Sequence, residues 1–200
     1  AYPSNVNYQY GFMSGVNYAK AKYDAKAEYV EIPSYAGTDV TNKNVGGNYI
    51  GNFSDEATGK VVGKALLDKG VDIMLVAAGG SGNGVFTAVK EAGNAQVIGC
   101  DVDQYDDGAN GDKNIILTSV LKVMHSNVEK QLEKVLDGSF KGENALLGAD
   151  TDSTGYVSAD GRQQLSAETL EKLEDAYKKV QSGEIVPAAN FNNMTPDNFT

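Results

Sequence analysis

The chain has 200 residues and a formal charge of −10, with 41% hydrophobic and 22% charged residues, one Cys and one His. That balance suits a single domain with a real core and excludes a nucleic-acid binder, which needs a clustered Lys/Arg face against phosphate. One Cys and one His leave no intramolecular disulfide and no His/Cys metal centre, and no stretch approaches the roughly 20 apolar residues of a membrane span.

Residues 1–5 carry neither a basic nor an apolar leader region, so the sequence reads as cytoplasmic, or as a mature or trimmed chain. Phe12, Val16, Ala19 and Tyr23 recur at helical spacing and predict a first helix over about 8–23. An α/β domain more often opens on a strand, so the expectation is that one is missing before this helix. Residues 27–32 alternate and are rich in β-formers, which predicts a strand. The Gly-, Thr- and Asn-rich stretch 33–47 is a long loop, and 48–53 a short strand.

Ser54 or Asp55 then caps a helix carrying Ala57, Val61, Val62, Ala65 and Leu66 on its buried stripe, closed by Gly70 as a left-handed C-cap. Residues 71–77 are short and nearly all apolar, the pattern of a strand buried on both faces. Gly79, Gly80, Gly82 and Gly84 lead into a helix over 84–92, closed by Gly93. A strand over 96–100 ends in an acidic loop over 101–108. A strand over 115–119 passes into an amphipathic helix ending near Asp137, its apolar positions including Val120, Val123, Met124, Val128, Leu132 and Val135. A short strand at 156–158 and a last helix capped by Ser166, carrying Leu170, Leu173, Tyr177 and Val180, complete the order. Strands separated by helices predict an α/β, doubly wound, mostly parallel sheet over 1–186, with 187–200 as an extended surface tail.

The glycine cluster Gly79-Gly80-Ser81-Gly82-Asn83-Gly84 lacks the Lys of a phosphate loop, since Val85 and Phe86 follow, and lacks the third glycine of a dinucleotide fingerprint. Asp101 and Asp103 stand just past a strand, on the same sheet edge as the glycines. There they serve as acceptors for sugar hydroxyls or a ligand N–H, or simply as turn formers. Asp150, Asp152 and Thr154 open like a calcium loop, but Gly161 stands where the closing Glu is needed. Lys122, one turn into the predicted helix, is a ligand donor or a solvated side chain; Phe53 is a stacking face or core; Asp55 is a ligand contact or a cap. With His125 alone there is no Ser-His-Asp set and no split carboxylate pair, which leaves a ligand crevice without catalytic machinery.

Taken together, Tyr49-Ile50-Gly51-Asn52-Phe53-Ser54-Asp55, the run from Ala77 to Phe86, Val97-Ile98-Gly99-Cys100-Asp101-Val102-Asp103-Gln104 and Leu117-Thr118-Ser119-Val120-Leu121-Lys122 resemble the basic membrane protein family. These are nucleoside-binding lipoproteins of bacterial ABC importers. Gly11-Phe12-x-x-Gly15-Val16 precedes the four motifs and Gly138-x-Phe140-x-Gly142 follows them, so the resemblance covers about 8–185. It implies a Rossmann-like lobe of a type I periplasmic binding protein, the second of two, with no counterpart of the first. It further implies that Ala78, Gly79, Gly80, Ser81 and Gly82 line the base or ribose, that Asp101 accepts ribose hydroxyls, that Lys122 donates to the ligand, and that Phe53 and Asp55 face the cleft. Cys100 stands where the family usually has Val.

By the same resemblance the protein is extracytoplasmic and not an enzyme, binds a nucleoside, most simply a purine nucleoside, without cofactor or metal, and hands it to an ABC transporter permease. Its membrane attachment would come only from a lipid anchor outside this chain. Two other classes stay open: an extracytoplasmic sensor domain of a regulatory protein, and a Rossmann-like enzyme. A last expectation is that the apolar stripe at Val128, Leu132 and Val135 is partly exposed, because it lies near the family's crossover between lobes.

Overall fold

The computed structural model describes residues 1–199. Helix α1 (Pro3–Tyr23) begins earlier than its apolar stripe predicts, because Pro3 in the first turn has a helix-ready φ and lacks an N–H that would go unbonded there anyway. The predicted strand over 27–32 does not form. Its alternation is real, but no neighbouring strand among the described residues offers a ladder. Instead the Asn48 amide bridges its end, accepting from the Ile32 N–H at 2.9 Å and donating to the Val30 carbonyl at 2.8 Å.

The loop over 33–47 folds back as a ribbon of β1 (Gly37–Thr38) and β2 (Asn44–Gly46). The stretch 48–53 then runs irregularly and ends in bends rather than forming a strand. After it come α2 (Glu56–Asp68), β3 (Ile73–Leu75), α3 (Gly82–Ala92) and β4 (Gln96–Asp101). A second ribbon, β5 (Ala109–Asn110) with β6 (Lys113–Asn114), leads to β7 (Ile116–Lys122) and α4 (Met124–Leu136). The order ends with β8 (Thr154–Tyr156) and α5 (Ala167–Ser182).

The main sheet runs β3-β4-β7-β8, with the first three strands parallel and β8 antiparallel to β7. Its core lies where Met74, Val97 and Ile116 of the sheet meet Val85, Phe86 and Val89 of α3. The expectation that the strand after Gly70 is buried on both faces is corrected: β3 is a short edge strand, with Ile73 at 41% exposure, because among the described residues no strand pairs with its outer side. Helix α2 packs on α3 through small residues, Gly59 and Gly63 facing Ser81, Gly84, Val85 and Ala88. Residues 187–199 form no helix or strand but are tied to α1: the Asn190 N–H reaches Asn7 Oδ1 at 2.7 Å, and Asn17 Nδ2 reaches the Pro196 carbonyl at 2.8 Å.

Helix α4 carries Val128, Leu132 and Val135 in the open, each more than half exposed. Its face therefore adds little to the stability of this chain. Leu132→Gln is expected to move the urea-unfolding free energy by less than about 0.5 kcal/mol. Val89→Ala, at a fully buried position, lowers it by about 2 kcal/mol. Equal losses in the two variants would place α4 inside the cooperative core.

Candidate functional site

Parallel strands bring their C-terminal ends to one edge, and the chain segments leaving β3, β4 and β7 converge there. Beyond β3 the backbone makes a tight turn over Gly79–Ser81 and enters α3. Gly79 has φ +53, and a Cβ on it would lie 3.2 Å from Phe53 Cβ, so a glycine lets the turn close onto the Phe53 segment.

Ser81 is drawn inward by that packing, Asp55 stands at the start of α2, and neither lines the hollow described below. Ser81 is fully buried; its hydroxyl accepts from the Asp55 N–H at 2.8 Å and donates to the Asn52 carbonyl at 2.9 Å. Asp55 caps α2, its carboxylate accepting from the Thr58 N–H at 2.9 Å and the Thr58 hydroxyl at 2.6 Å. The Thr58 hydroxyl and N–H hold that carboxyl below its usual pKa. A buried hydroxyl and a helix N-terminus each need a partner: backbone groups of Asn52 and Asp55 satisfy the Ser81 hydroxyl, and the Asp55 carboxylate satisfies the first turn of α2.

At the end of β4, Asp101 adopts a left-handed backbone, φ +70, which turns its carboxylate toward α1 and β7. Tyr8 of α1 donates its hydroxyl to Oδ1 at 2.7 Å, and Lys122 Nζ lies 3.1 Å from Oδ2. Lys122 is the last residue of β7 and not a helical residue as its sequence position suggests. Pairing to β4 on one side and β8 on the other extends the strand past Ser119. Burial alone would push the Asp101 carboxyl up, but the hydrogen bonds from Tyr8 and Lys122 and the Lys122 charge outweigh it and leave it below the usual value. Burial, helped by Asp101, pushes the Tyr8 phenol well above its ordinary range. Both ends of the Asp101–Lys122 pair are nearly half exposed, so the pair contributes little stability; it orients the two charges.

Phe53, Ala78, Gly79, Gly80, Gly82, Asp101 and Lys122 line one hollow of about 450 Å³. The Phe53 ring, 46% exposed, stacks on Tyr2 with centroids 5.6 Å apart and planes at 20°. The hollow also takes in Asn5, Tyr8 and Gln104, which sequence reasoning passed over. Asn5 fixes the floor by donating to the Ala77 carbonyl at 2.8 Å, and Gln104 accepts from the Cys100 N–H at 2.8 Å.

Asp103, weighed as a sugar acceptor, is instead bonded to Arg162 Nε at 2.7 Å, and Arg162 also binds Asp106. The calcium-like opening folds as a turn over Ala149–Thr151, and no acidic cluster able to hold a metal is present among the described residues. A larger hollow, about 650 Å³, lies at the opposite end of the strands between Asn94, Gln96, Asp112 and Asn114. The smaller hollow is the better site: it lies at the C-terminal edge of parallel strands and combines an aromatic face, bare backbone and an oriented ion pair.

Cys100 borders this hollow, its Sγ 3.6 Å from Asp101 Oδ1. Burial, with the Asp101 charge adding, pushes its thiol up to about 11. At pH 8 the thiolate fraction is then about 100-fold below that of an unperturbed cysteine, and alkylation by iodoacetamide slows by a smaller factor, because a more basic thiolate is the better nucleophile. Restoration of the normal rate in urea confirms the cause. A rate equal to that of a free thiol in the folded protein contradicts this environment.

A family model described as Bmp, ABC transporter substrate-binding protein PnrA-like, matches residues 35–190. Basic membrane protein D of Borreliella burgdorferi is 33% identical over 183 residues, 88% of this chain and 48% of that protein. The ABC transporter nucleoside-binding protein BmpA of Lactococcus lactis is 37% identical over 106 residues, 47% of this chain and 30% of that protein. Among solved structures, an ABC transporter solute-binding protein from Aeropyrum pernix superposes with a TM-score of 0.71 at 23% identity, covering 98% of this chain and 57% of that one. The chain spans about half the length of the curated relatives it matches most fully. Its mostly parallel α/β sheet is the fold of a solute-binding lobe, and with most of its length matched by the family model, the chain belongs to the Bmp family of PnrA-like ABC transporter substrate-binding proteins.

Proposed function

We propose that this chain forms one wall of an extracytoplasmic nucleoside-binding cleft, purine nucleosides being the favoured ligands, and that the occupied cleft delivers its cargo to an ABC transporter permease. The observation that carries this reading is the two-part hollow. Its Phe53 and glycine-loop end suits the flat face of a base, while the Asp101–Lys122 end suits hydroxyls. The name of the Lactococcus lactis relative points the same way. Binding without chemistry needs only orientation and a shaped surface, and the hollow has both. Calorimetric titration with inosine, adenosine, uridine, hypoxanthine and ribose tests the reading. Nucleoside binding that exceeds binding of free base and free sugar, strongest for the purines, is the expected outcome. Binding of a free sugar or an amino acid with none of a nucleoside would overturn it.

A further inference from the structure

We propose that the Tyr8 hydroxyl is a direct ligand contact, which makes the polar end of the hollow a reader of two neighbouring hydroxyls rather than one. The proposal rests on the nucleoside reading above and deepens it.

Asp101 is engaged from two sides, Tyr8 Oη on Oδ1 at 2.7 Å and Lys122 Nζ at 3.1 Å from Oδ2. A phenol that gives its only proton to a carboxylate can donate nowhere else. It keeps lone pairs on its oxygen, and the carboxylate's charge makes that oxygen a better acceptor. Tyr8 lines the same hollow as Asp101 and Lys122, so those lone pairs belong to the ligand wall.

The wall therefore offers two adjacent acceptors, the Asp101 carboxylate and the Tyr8 oxygen, one hydrogen-bond length apart. That spacing is comparable to the separation of neighbouring hydroxyl oxygens on a ribose. One ligand hydroxyl donates to Asp101 and its neighbour to Tyr8. Lys122, which uses one of its three protons on Asp101, has others free for a ligand oxygen. A phenylalanine at position 8 would fill the same space and leave only the carboxylate. Tyr8 and Asp101 are 93 positions apart in sequence, so the pairing exists only in the fold.

The test compares inosine, 2′-deoxyinosine and 3′-deoxyinosine on the wild-type chain and on Tyr8→Phe, with thermal melting of both proteins as a control on folding. The wild type is expected to bind inosine about tenfold more tightly than either deoxy analogue, since each loses one donor to a built acceptor. Tyr8→Phe is expected to weaken inosine by about tenfold while leaving one deoxy analogue at its wild-type affinity, so that one of the two ratios collapses. Weakening of all three ligands by a common factor would overturn the proposal and make Tyr8 a positioning group for Asp101. Wild-type affinities that are equal for inosine and both deoxy analogues would overturn it even if the variant fails to fold. Absence of binding by any of the three to the wild type, by contrast, removes the nucleoside reading itself.

Discussion

Gly84→Ala is expected to destabilise the protein by about 3 kcal/mol, read as a lowered urea midpoint with an unchanged denaturant slope. Alanine gains about 1 kcal/mol over glycine in helix propensity, so the substitution would stabilise an isolated helix. Here the added Cβ meets the Glu56 carbonyl oxygen and the Lys60 amide nitrogen of α2. Those are backbone atoms, and no side chain can rotate to make room. The clash outweighs the propensity, and α2 and α3 must separate. Gly59→Ala probes the same contact from the other side, where the Cβ meets the Ser81 carbonyl, and a loss of similar size is expected. Because α3 begins at the end of the glycine turn, either change also displaces the floor of the hollow. A midpoint unchanged for both variants would mean that the helices do not approach so closely.

Asp101→Asn is expected to weaken nucleoside binding by about 100-fold with little change in stability. The substitution keeps the shape but removes the charge that Lys122 and Tyr8 are arranged around, and losing a charged hydrogen bond to a ligand is a change of about 2–3 kcal/mol. The pair is too exposed for its loss to unfold the domain. The pH dependence follows from the same geometry. The folded carboxyl is held below its ordinary value of about 3.9, so it stays ionised, and its bond to a ligand hydroxyl stays available, until pH falls through that lowered value. Affinity in the wild type is therefore flat from pH 8 to about 5 and falls only in stronger acid. An affinity that falls already between pH 7 and 5 would show that another group controls the site.

What the sequence disclosed divides along a physical line. Helices α3 and α5 were legible because local signals suffice for them: an apolar stripe, the Ser166 cap on α5, and left-handed Gly93 and Gly183 at the two C-termini. The failures are those of elements whose fate depends on a partner. Residues 27–32 have the alternation of a strand and no edge to join, while β7 runs on through Lys122 because it has edges on both sides.

The same division runs through the site. The glycine turn, Phe53, Asp101 and Lys122 were found through motifs, and the fold brings them around one hollow. Ser81 and Asp55 share those motifs, yet they meet the needs of a buried backbone and a helix end, which a motif does not reveal. Tyr8 was hidden for the opposite reason. It sits in no motif, and only the crossing of α1 over the end of β4 gives its hydroxyl a partner. The open stripe of α4 was expected from the family resemblance, and Val128, Leu132 and Val135 are each more than half exposed among the described residues.

Backbone amide shifts recorded by NMR as inosine is added to the isotope-labelled chain address the central claim most directly. The largest changes are expected at Gly79, Gly80 and Gly82, at Asp101 and at Lys122, together on the C-terminal edge of β3, β4 and β7. Changes confined to the opposite hollow, around Asn94, Asp112 and Asn114, or no saturable change at any amide, would contradict it.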